Sequence, residues 1–456
     1  MSVSSTFSES LHTLCADYRI HNSLTVEARN NSSIKRGLRN DDGTGVMVGC
    51  TKVGNVLGYR VVDGEREPME GQLIYRGYDL TTLVNAYIKE NRFGYTEIAY
   101  LLLFGNLPNR EQYDMFRAML NACTVLPENF TEDMILKNPS HDIMNKLGRS
   151  VLALYSNDPN PDDLSVENMM RQSIELVARF PTIVAYAYVV KRHYFENDSL
   201  YLHRPLAELS AAESFLHLIR PDKQFTMEEA RVLDLCLVCH AEHGGGNNST
   251  FAVRMLTSSG TDTYSAIAAG VGALKGPRHG GANIKVVEML DDIKEHVRDR
   301  GDDEEIAAYL KKILNKEAGD GSGLIYGMGH AVYTLSDPRA VILRECAEEH
   351  CDGFGMREDF ELLRAVERVS PPLLQDKLHD GNAICANVDL YSGLIYRMLK
   401  IPVELYTPIF AMARMSGWCA HRLEEIITCR RIMRPAYRPI QHKKPYIEIE
   451  KRTEAL

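Results

Sequence analysis

The segment TMEEARVLDLCLVCHAEHGGG, residues 226–246, decides the fold class. Thr226 stands three residues before Glu229, the spacing at which two side chains cap each other's backbone N–H at a helix start. A helix therefore runs from Thr226 toward His243, and Gly244-Gly-Gly246 stops it. The same punctuation recurs on both sides. Tyr95–Phe104 has an apolar face ended by Gly105-Asn106-Leu107-Pro108, and Asn109 is placed to cap a helix through Asn121. Long helical patterns cover 166–195 and 208–219. Thr263 opens a helix that runs to Gly276-Pro277, and Asn283–Val297 and Glu304–Asn315 follow. Asp337-Pro338 sets a cap and a first-turn proline before Arg339–His350, and Thr407-Pro408 repeats the device before a helix to about Arg431. Only Val56–Val62 and Leu73–Arg76, split by Asp63-Gly64, read as strands. The fold class is mainly α, with loops too varied for a simple four-helix bundle.

Length and composition narrow the class. The 456 residues set a prior of two or three domains. With 45% hydrophobic and 25% charged residues, the chain is ordinary for a globular enzyme. A net charge of −10 argues against a general nucleic-acid binder. The longest apolar runs, Thr182–Val190 and Ser265–Leu274, are about half the ~20 residues of a membrane span. Residues 1–28 hold Glu9, Asp17 and Glu27 against the single basic Arg19, unlike a secretory or mitochondrial leader. The expected location is cytoplasmic. The 10 scattered cysteines read as reduced thiols.

Several constellations could carry chemistry, and they compete. Cys236-Leu-Val-Cys239-His240 has the spacing of a covalent haem attachment, and with His243 it invites a metal reading. Haem attachment needs export, and ligands along one straight helix span about 10 Å, too far to surround one ion. Core packing of both cysteines is the simpler reading. His243-Gly-Gly-Gly246 resembles an oxyanion-hole stretch, but no G-x-S-x-G elbow accompanies it. Gly327-Met-Gly329-His330 is only a fragment of a dinucleotide fingerprint. In Gly276-Pro-Arg-His279-Gly-Gly-Ala-Asn283 an imidazole stands at a helix junction, where the positive dipole end favours its neutral form. A neutral imidazole can donate to a developing enolate oxygen. In Asn387-Val-Asp389-Leu-Tyr-Ser-Gly393, Asp389 is placed as a helix N-cap.

Taken in order along the chain, these last two motifs and Gly327-Met-Gly-His330-Ala-Val-Tyr-Thr-Leu-Ser-Asp337-Pro-Arg339 resemble the citrate synthase family. Glu70–Gly77, Glu97–Gly105, His240-Ala-Glu-His243, Ala413-Arg414 and Ile432-Met-Arg434-Pro435 complete the series, which spans about residues 55–440. The resemblance implies a helical homodimer with an N-terminal arm, 1–54, a large domain, 55–281 and 401–456, and a small domain, 282–400, that closes over the site. It implies condensation of acetyl-CoA with oxaloacetate and water to citrate and CoA. By motif, Asp389 is the base, His279 polarises the thioester carbonyl, and His330 holds and protonates the keto oxygen. His243, Asn247, Arg339 and Arg414 line the oxaloacetate site, and Arg434 reaches the partner's site. Gly381 and Gly393 are candidate flexing points. No metal or cofactor is expected, because Arg and His do the polarising and the CoA thioester is a substrate.

These residue types suit that chemistry. A thioester α-proton is weakly acidic, so a carboxylate base needs a donor at the enolate oxygen, typically supplying ~3–4 kcal/mol. Oxaloacetate is a dianion approaching an acidic chain, so local guanidinium forks must reverse the field. Arg430, Arg431, Arg434, Arg438, Lys443 and Lys444 make the C-terminal tail basic. The chain departs from the pattern in places. Glu242 replaces the usual Asp, Arg278 precedes His279 where a small residue is frequent, and Thr334 stands where an Arg or Lys near the CoA phosphates is common. Lys377 is a distant substitute for another basic residue. Propionyl-CoA, giving 2-methylcitrate, is the alternative substrate. Three further readings compete: a lyase running the related cleavage, a non-catalytic homologue, and a haem or metal protein built on Cys236, Cys239 and His240.

Overall fold

A computed structural model describes residues 15, 34–40, 44–62, 65–378, 383–428, 431–441 and 443–452. The Asp63-Gly64 turn, Gly381 and Arg430 lie outside the described residues, and the arm before residue 45 is described only at residues 15, 34–40 and 44, where Arg36–Leu38 form a 3-10 turn. The chain forms two compact units, Cys50–Met433 and Met1–Gly49 with Arg434–Leu456. In the smaller unit Arg39 and Gly45 form an antiparallel bridge, and Asn40 Nδ2 donates to Thr44 Oγ1 at 2.9 Å. Among its described C-terminal residues, those from 434 to 446 are exposed, and one 3-10 turn, Ile449–Lys451, follows.

The larger unit begins with an antiparallel sheet of β1 (Gly54–Val62), β2 (Glu65–Tyr75) and β3 (Tyr78–Asp79). Gly54 faces Tyr75 and Val62 faces Glu65, with one register slip between Leu57 and Tyr59. The second strand starts eight residues before the apolar run that signals it at Leu73. Its polar first half is held by pairing, with Arg60 Nε donating to Glu67 Oε2 across the ladder at 2.8 Å.

Helices follow: α1 (Leu80–Glu90), α2 (Tyr95–Phe104), α3 (Arg110–Ala122), α4 (Ile143–Leu154), α5 (Val166–Glu196), α6 (Ala211–Ile219), α7 (Met227–His240) and α8 (Asn248–Thr257). Capping boxes at Asn109/Gln112, Ser210/Glu213 and Thr226/Glu229 start α3, α6 and α7. Next come α9 (Thr263–Lys275), α10 (Ala282–His296), α11 (Asp303–Leu314), α12 (Pro338–His350), α13 (Arg357–Leu378), α14 (Val388–Met398) and α15 (Tyr406–Thr428).

The core runs along α5 and α15. By length and composition α5 is the one helix among the described residues able to cross a membrane, but 89% of its most apolar window is buried inside the protein. Its interior Pro181 does not end it. Helix α15 is buried from Tyr406 to Glu425, and Trp418 packs where Gly270 of α9 leaves room. Each fully buried large apolar side chain contributes ~1.5–3 kcal/mol relative to exposure. Thr407 is not the cap of α15, whose helical turn begins at Tyr406; its hydroxyl donates instead to the Gly280 carbonyl at 2.8 Å. Gly393, a candidate flexing point, is closely packed. It lies inside α14, where a Cβ would fall 2.7 Å from Val287 Cγ2, so its small size lets α14 close on α10.

Candidate active site

Three segments converge on one cluster. The first is the end of α7 and the turn after it, carrying His240, Glu242 and His243. The second is the loop Gly327–Asp337 into α12, and the third is the strand-like Cys385–Asn387 into α14. Backbone bonds stitch the last two together. Gly329 N–H donates to the Cys385 carbonyl at 2.8 Å and Asn387 N–H to the Gly327 carbonyl at 2.9 Å. The Asn387 amide adds a bond to the Gly329 carbonyl at 2.9 Å. His330 and Asp389 are thereby fixed relative to each other.

Asp389 is not the cap of α14. Asn387 is, its Oδ1 accepting from the Asp389 N–H at 3.0 Å. Asp389 sits in the first turn with its carboxylate making no hydrogen bond among the described residues. Burial pushes its pKa up to about 6, while Arg339 pulls it down and Asp337 raises it. A carboxylate so poised is a base near neutral pH.

His330 Nδ1 accepts from the backbone N–H groups of Val332 and Tyr333, both at 3.0 Å. Because an N–H can only donate, the imidazole proton lies on Nε2. The ring stacks on Tyr333 at 4.5 Å, and His243 meets it edge-on at 5.1 Å. Hairpin β1–β2 supports this loop from below. A Cβ on Gly71 would fall 2.2 Å from the Ser336 carbonyl oxygen, so only glycine lets strand and loop touch.

His279 lies in the turn before α10. The Ser249 N–H points at its Nε2 at 3.4 Å and the Ser249 hydroxyl lies 3.0 Å from it. Trp418 Nε1 donates to that hydroxyl oxygen at 3.2 Å, and the hydroxyl also lies 2.9 Å from Asn247 Oδ1. A backbone donor at Nε2 leaves the proton on Nδ1. Burial first, then Arg414, push the His279 pKa down to about 4, so it is a neutral donor at working pH. Burial is the first cause of that state. His243 is also held well below the usual imidazole range, by burial and then by Arg339, His330, Arg414 and His279. Those four groups surround one ring.

The cations are buried and differently held. Asp337 binds Arg339 through Nε at 3.0 Å and Nη2 at 2.7 Å, and it also caps α12 by accepting the Arg339 N–H. Arg414 donates Nε to the His240 carbonyl at 2.7 Å, but its Nη1 and Nη2 are buried without a hydrogen-bond partner among the described residues. Burial pulls its pKa down to about 10. An unpaired buried guanidinium fork is built for an incoming carboxylate.

Glu242 stands behind this layer. Arg254 Nε donates to His421 Nδ1 at 3.0 Å, and His421 Nε2 donates on to Glu242 Oε1 at 2.8 Å. Burial raises the Glu242 pKa, but His421 and Arg414 outweigh it and the net shift is downward. Cys236 and Cys239 are buried in the core, with thiol pKa values raised by burial. His240 stacks on Phe410 at 4.3 Å with Nε2 3.0 Å from the Tyr396 hydroxyl. That is core packing, the simpler of the sequence readings. Arg434 is exposed in the smaller unit. Sequence reasoning missed Ser249, Trp418 and Tyr333. Ser249, two places after Asn247, was within reach of the motif, whereas Trp418 is joined to it only by folding.

The model of the citrate synthase C-terminal domain matches residues 43–436. The chain belongs to the citrate synthase family. A citrate synthase from Acidithiobacillus ferridurans is 35% identical over 396 residues, 84% of this chain and 93% of that protein. A peroxisomal citrate synthase from Dictyostelium discoideum is 32% identical, covering 90% of this chain and 79% of that protein. The crystal structure of citrate synthase from Pyrobaculum aerophilum superimposes with a TM-score of 0.73 at 31% identity, covering 92% and 95% of the two chains. Citrate synthase from Thermoplasma acidophilum, solved with carboxymethyl coenzyme A and oxaloacetate, gives a TM-score of 0.76 at 25% identity over 92% of this chain and 100% of that one. The mainly α class and the acyltransferase assignment read from sequence both stand.

Proposed function

We propose that this citrate synthase family member condenses acetyl-CoA with oxaloacetate and water to give citrate and CoA. The observation that carries the reading is a geometric one: the loops bearing His330 and Asp389 are stitched together by backbone bonds, in one cluster with Arg339 held by Asp337 and the fork of Arg414, unpaired among the described residues. Asp389 takes a proton from the thioester methyl group, and the electron pair moves onto the carbonyl oxygen. His279 donates to that oxygen from Nδ1–H, without being charged itself. One such donor is worth ~10²–10³ in rate. The enol carbon then bonds to the keto carbon of oxaloacetate, and the keto oxygen takes the proton from His330 Nε2. Water cleaves the resulting thioester, releasing CoA.

Arg339, already oriented by Asp337, and the open fork of Arg414 take the two carboxylates of oxaloacetate. His243 and Asn247 complete the wall. The Thermoplasma acidophilum relative, solved with a CoA analogue and oxaloacetate, supports the substrate pair. We further propose a homodimer in which Arg434 serves the partner's site.

A thiol-release assay tests the reading. Acetyl-CoA with oxaloacetate should release CoA, faster than propionyl-CoA at equal concentration. Full turnover in a folded Asp389→Ala variant would remove the base from the mechanism, and a faster rate with propionyl-CoA would make the protein a 2-methylcitrate synthase.

A further inference from the structure

Glu242 is fully buried, and no step of the condensation above uses it. A carboxylate persists in a protein interior only where donors hold it. Its Oε1 accepts twice, from the Gly244 N–H and from His421 Nε2, the latter at 2.8 Å. The first of these bonds spans His243: the residue before the imidazole grips the backbone of the residue after it. The second ties that clamp to α15. Because Arg254 Nε donates to Nδ1 at 3.0 Å, His421 keeps its proton on Nε2 and is a fixed donor toward Glu242. Arg254 is held in turn by Glu425 at 2.6 Å, by Glu424 and by the Thr51 hydroxyl at 3.2 Å.

The space for the acid is cut by two glycines. A Cβ on Gly54, the first residue of β1, would fall 2.8 Å from both Glu242 Cγ and Oε1. A Cβ on Gly417 would fall 2.7 Å from Oε2 and 3.4 Å from Arg414 Cδ, so the carboxylate and the Arg414 stem border the same glycine. Oε2 has no hydrogen-bond partner among the described residues, and neither have Arg414 Nη1 and Nη2 or His243 Nε2. The acid stands beside the guanidinium without occupying its fork. Aspartate, one methylene shorter, would withdraw the oxygen by about 1.5 Å, out of hydrogen-bond reach of both donors.

We propose that Glu242 is a positioning residue of the oxaloacetate site: it clamps the turn around His243 and anchors it to α15, the helix that bears Arg414, keeping both free groups in register for one dicarboxylate. This rests on the condensing function proposed above and deepens it to the affinity for one substrate. Losing bonds to an ionised group of this kind typically costs about tenfold or more in affinity.

The test compares wild type, E242D, E242Q and G54A by calorimetric titration with oxaloacetate and by steady-state thiol release. E242D should raise the Kd and the KM for oxaloacetate about tenfold and leave the KM for acetyl-CoA where it was. E242Q keeps an oxygen in the Oε1 position and should recover most of that loss. G54A leaves Glu242 in place in the sequence but pushes its flexible side chain aside, so it should fold and reproduce the E242D split. Unchanged oxaloacetate affinity in E242D or in G54A overturns the proposal, and so does an equal rise in both KM values, the mark of general loosening. An E242Q no better than E242D assigns the effect to charge and overturns the clamp. Should E242D fail to fold, G54A decides. A wild-type protein that binds oxaloacetate but releases no thiol would defeat the condensing function instead, and the titrations would still read the clamp.

Discussion

Asn387 Oδ1 accepts the backbone N–H of Asp389 at 3.0 Å, so α14 is capped by a residue two places ahead of the base proposed above. Capping and the proposed proton abstraction are thus divided between two side chains. Asp389→Ala should leave the fold intact and lower kcat by at least about a thousandfold, the scale for losing a base that acts with other groups. Asn387→Ala should do the reverse in stability, costing about 1 kcal/mol for the cap. It should also reduce kcat, because the amide bond to the Gly329 carbonyl goes with it. Chemical denaturation and thiol release on the same preparations check both.

The pH dependence follows from the carboxylate. With a pKa of about 6, Asp389 is ionised and competent above that value, and kcat/KM should fall tenfold per pH unit below it. The stability effect has the opposite sense to that of a salt-bridged acid. The folded pKa lies above the unfolded value, so ionisation destabilises the fold from about pH 4 upward, and fully so above pH 6. Asp389→Asn should therefore gain stability over wild type as pH rises from 4 to 6 and hold that gain above it. After a discount for partial exposure the gain is about 1 kcal/mol. Denaturation midpoints at pH 4, 5, 6 and 7 read the effect.

Asp337 should matter more for stability than most site residues. Removing it in Asp337→Ala leaves the Arg339 guanidinium buried and unpaired and deletes the cap of α12. A loss of about 3–5 kcal/mol is expected. Where the protein still folds, as in the milder Asp337→Asn, the KM for oxaloacetate should rise while that for acetyl-CoA stays put.

Ser249 links His279 to Trp418. Ser249→Ala removes the hydroxyl but keeps the backbone N–H, so the tautomer of His279 survives and its orientation loosens. A ten- to hundredfold drop in kcat is expected, about that of a disturbed supporting contact. Trp418 fluorescence should shift as its indole N–H loses its acceptor.

Tyr333 separates packing from hydrogen bonding. Its hydroxyl is buried with no hydrogen-bond partner among the described residues, while its ring stacks on His330. Tyr333→Phe should be neutral or slightly stabilising, because an unsatisfied polar group is removed. Tyr333→Ala should cost about 3–5 kcal/mol and release the His330 ring. Thermal denaturation distinguishes the pair, and the His330 ring resonances should move only in the alanine variant.

How much of the fold is legible in the chain follows physical range. Asn109, Thr226 and Asp337 announce helix starts because a cap acts over two or three residues. Asp389 reads as a cap although Asn387 does the capping, because the two types cap equally well and only the fold chooses between them. Strand β2 hides in EREPMEGQ, whose partners lie on β1. Helix α13 passes unbroken through Pro371-Pro372, a pair that ordinarily stops a helix. The identities of His279, His330, Arg339 and Arg414 are carried by family resemblance. Their burial and the Arg254–His421–Glu242 relay, joining residues 167 and 179 positions apart, appear only when the chain is folded.

The missing side chain at Gly71 fixes the route by which this protein can change. A methyl group there would have to displace the Ser336 carbonyl by about an ångström, dragging the following Asp337 and the histidine six residues earlier with it. A strand packed against the loop that carries His330 is therefore a ruler for that loop. Directed evolution that reshapes the pocket should find that hairpin intolerant, and the helices around it comparatively free to drift.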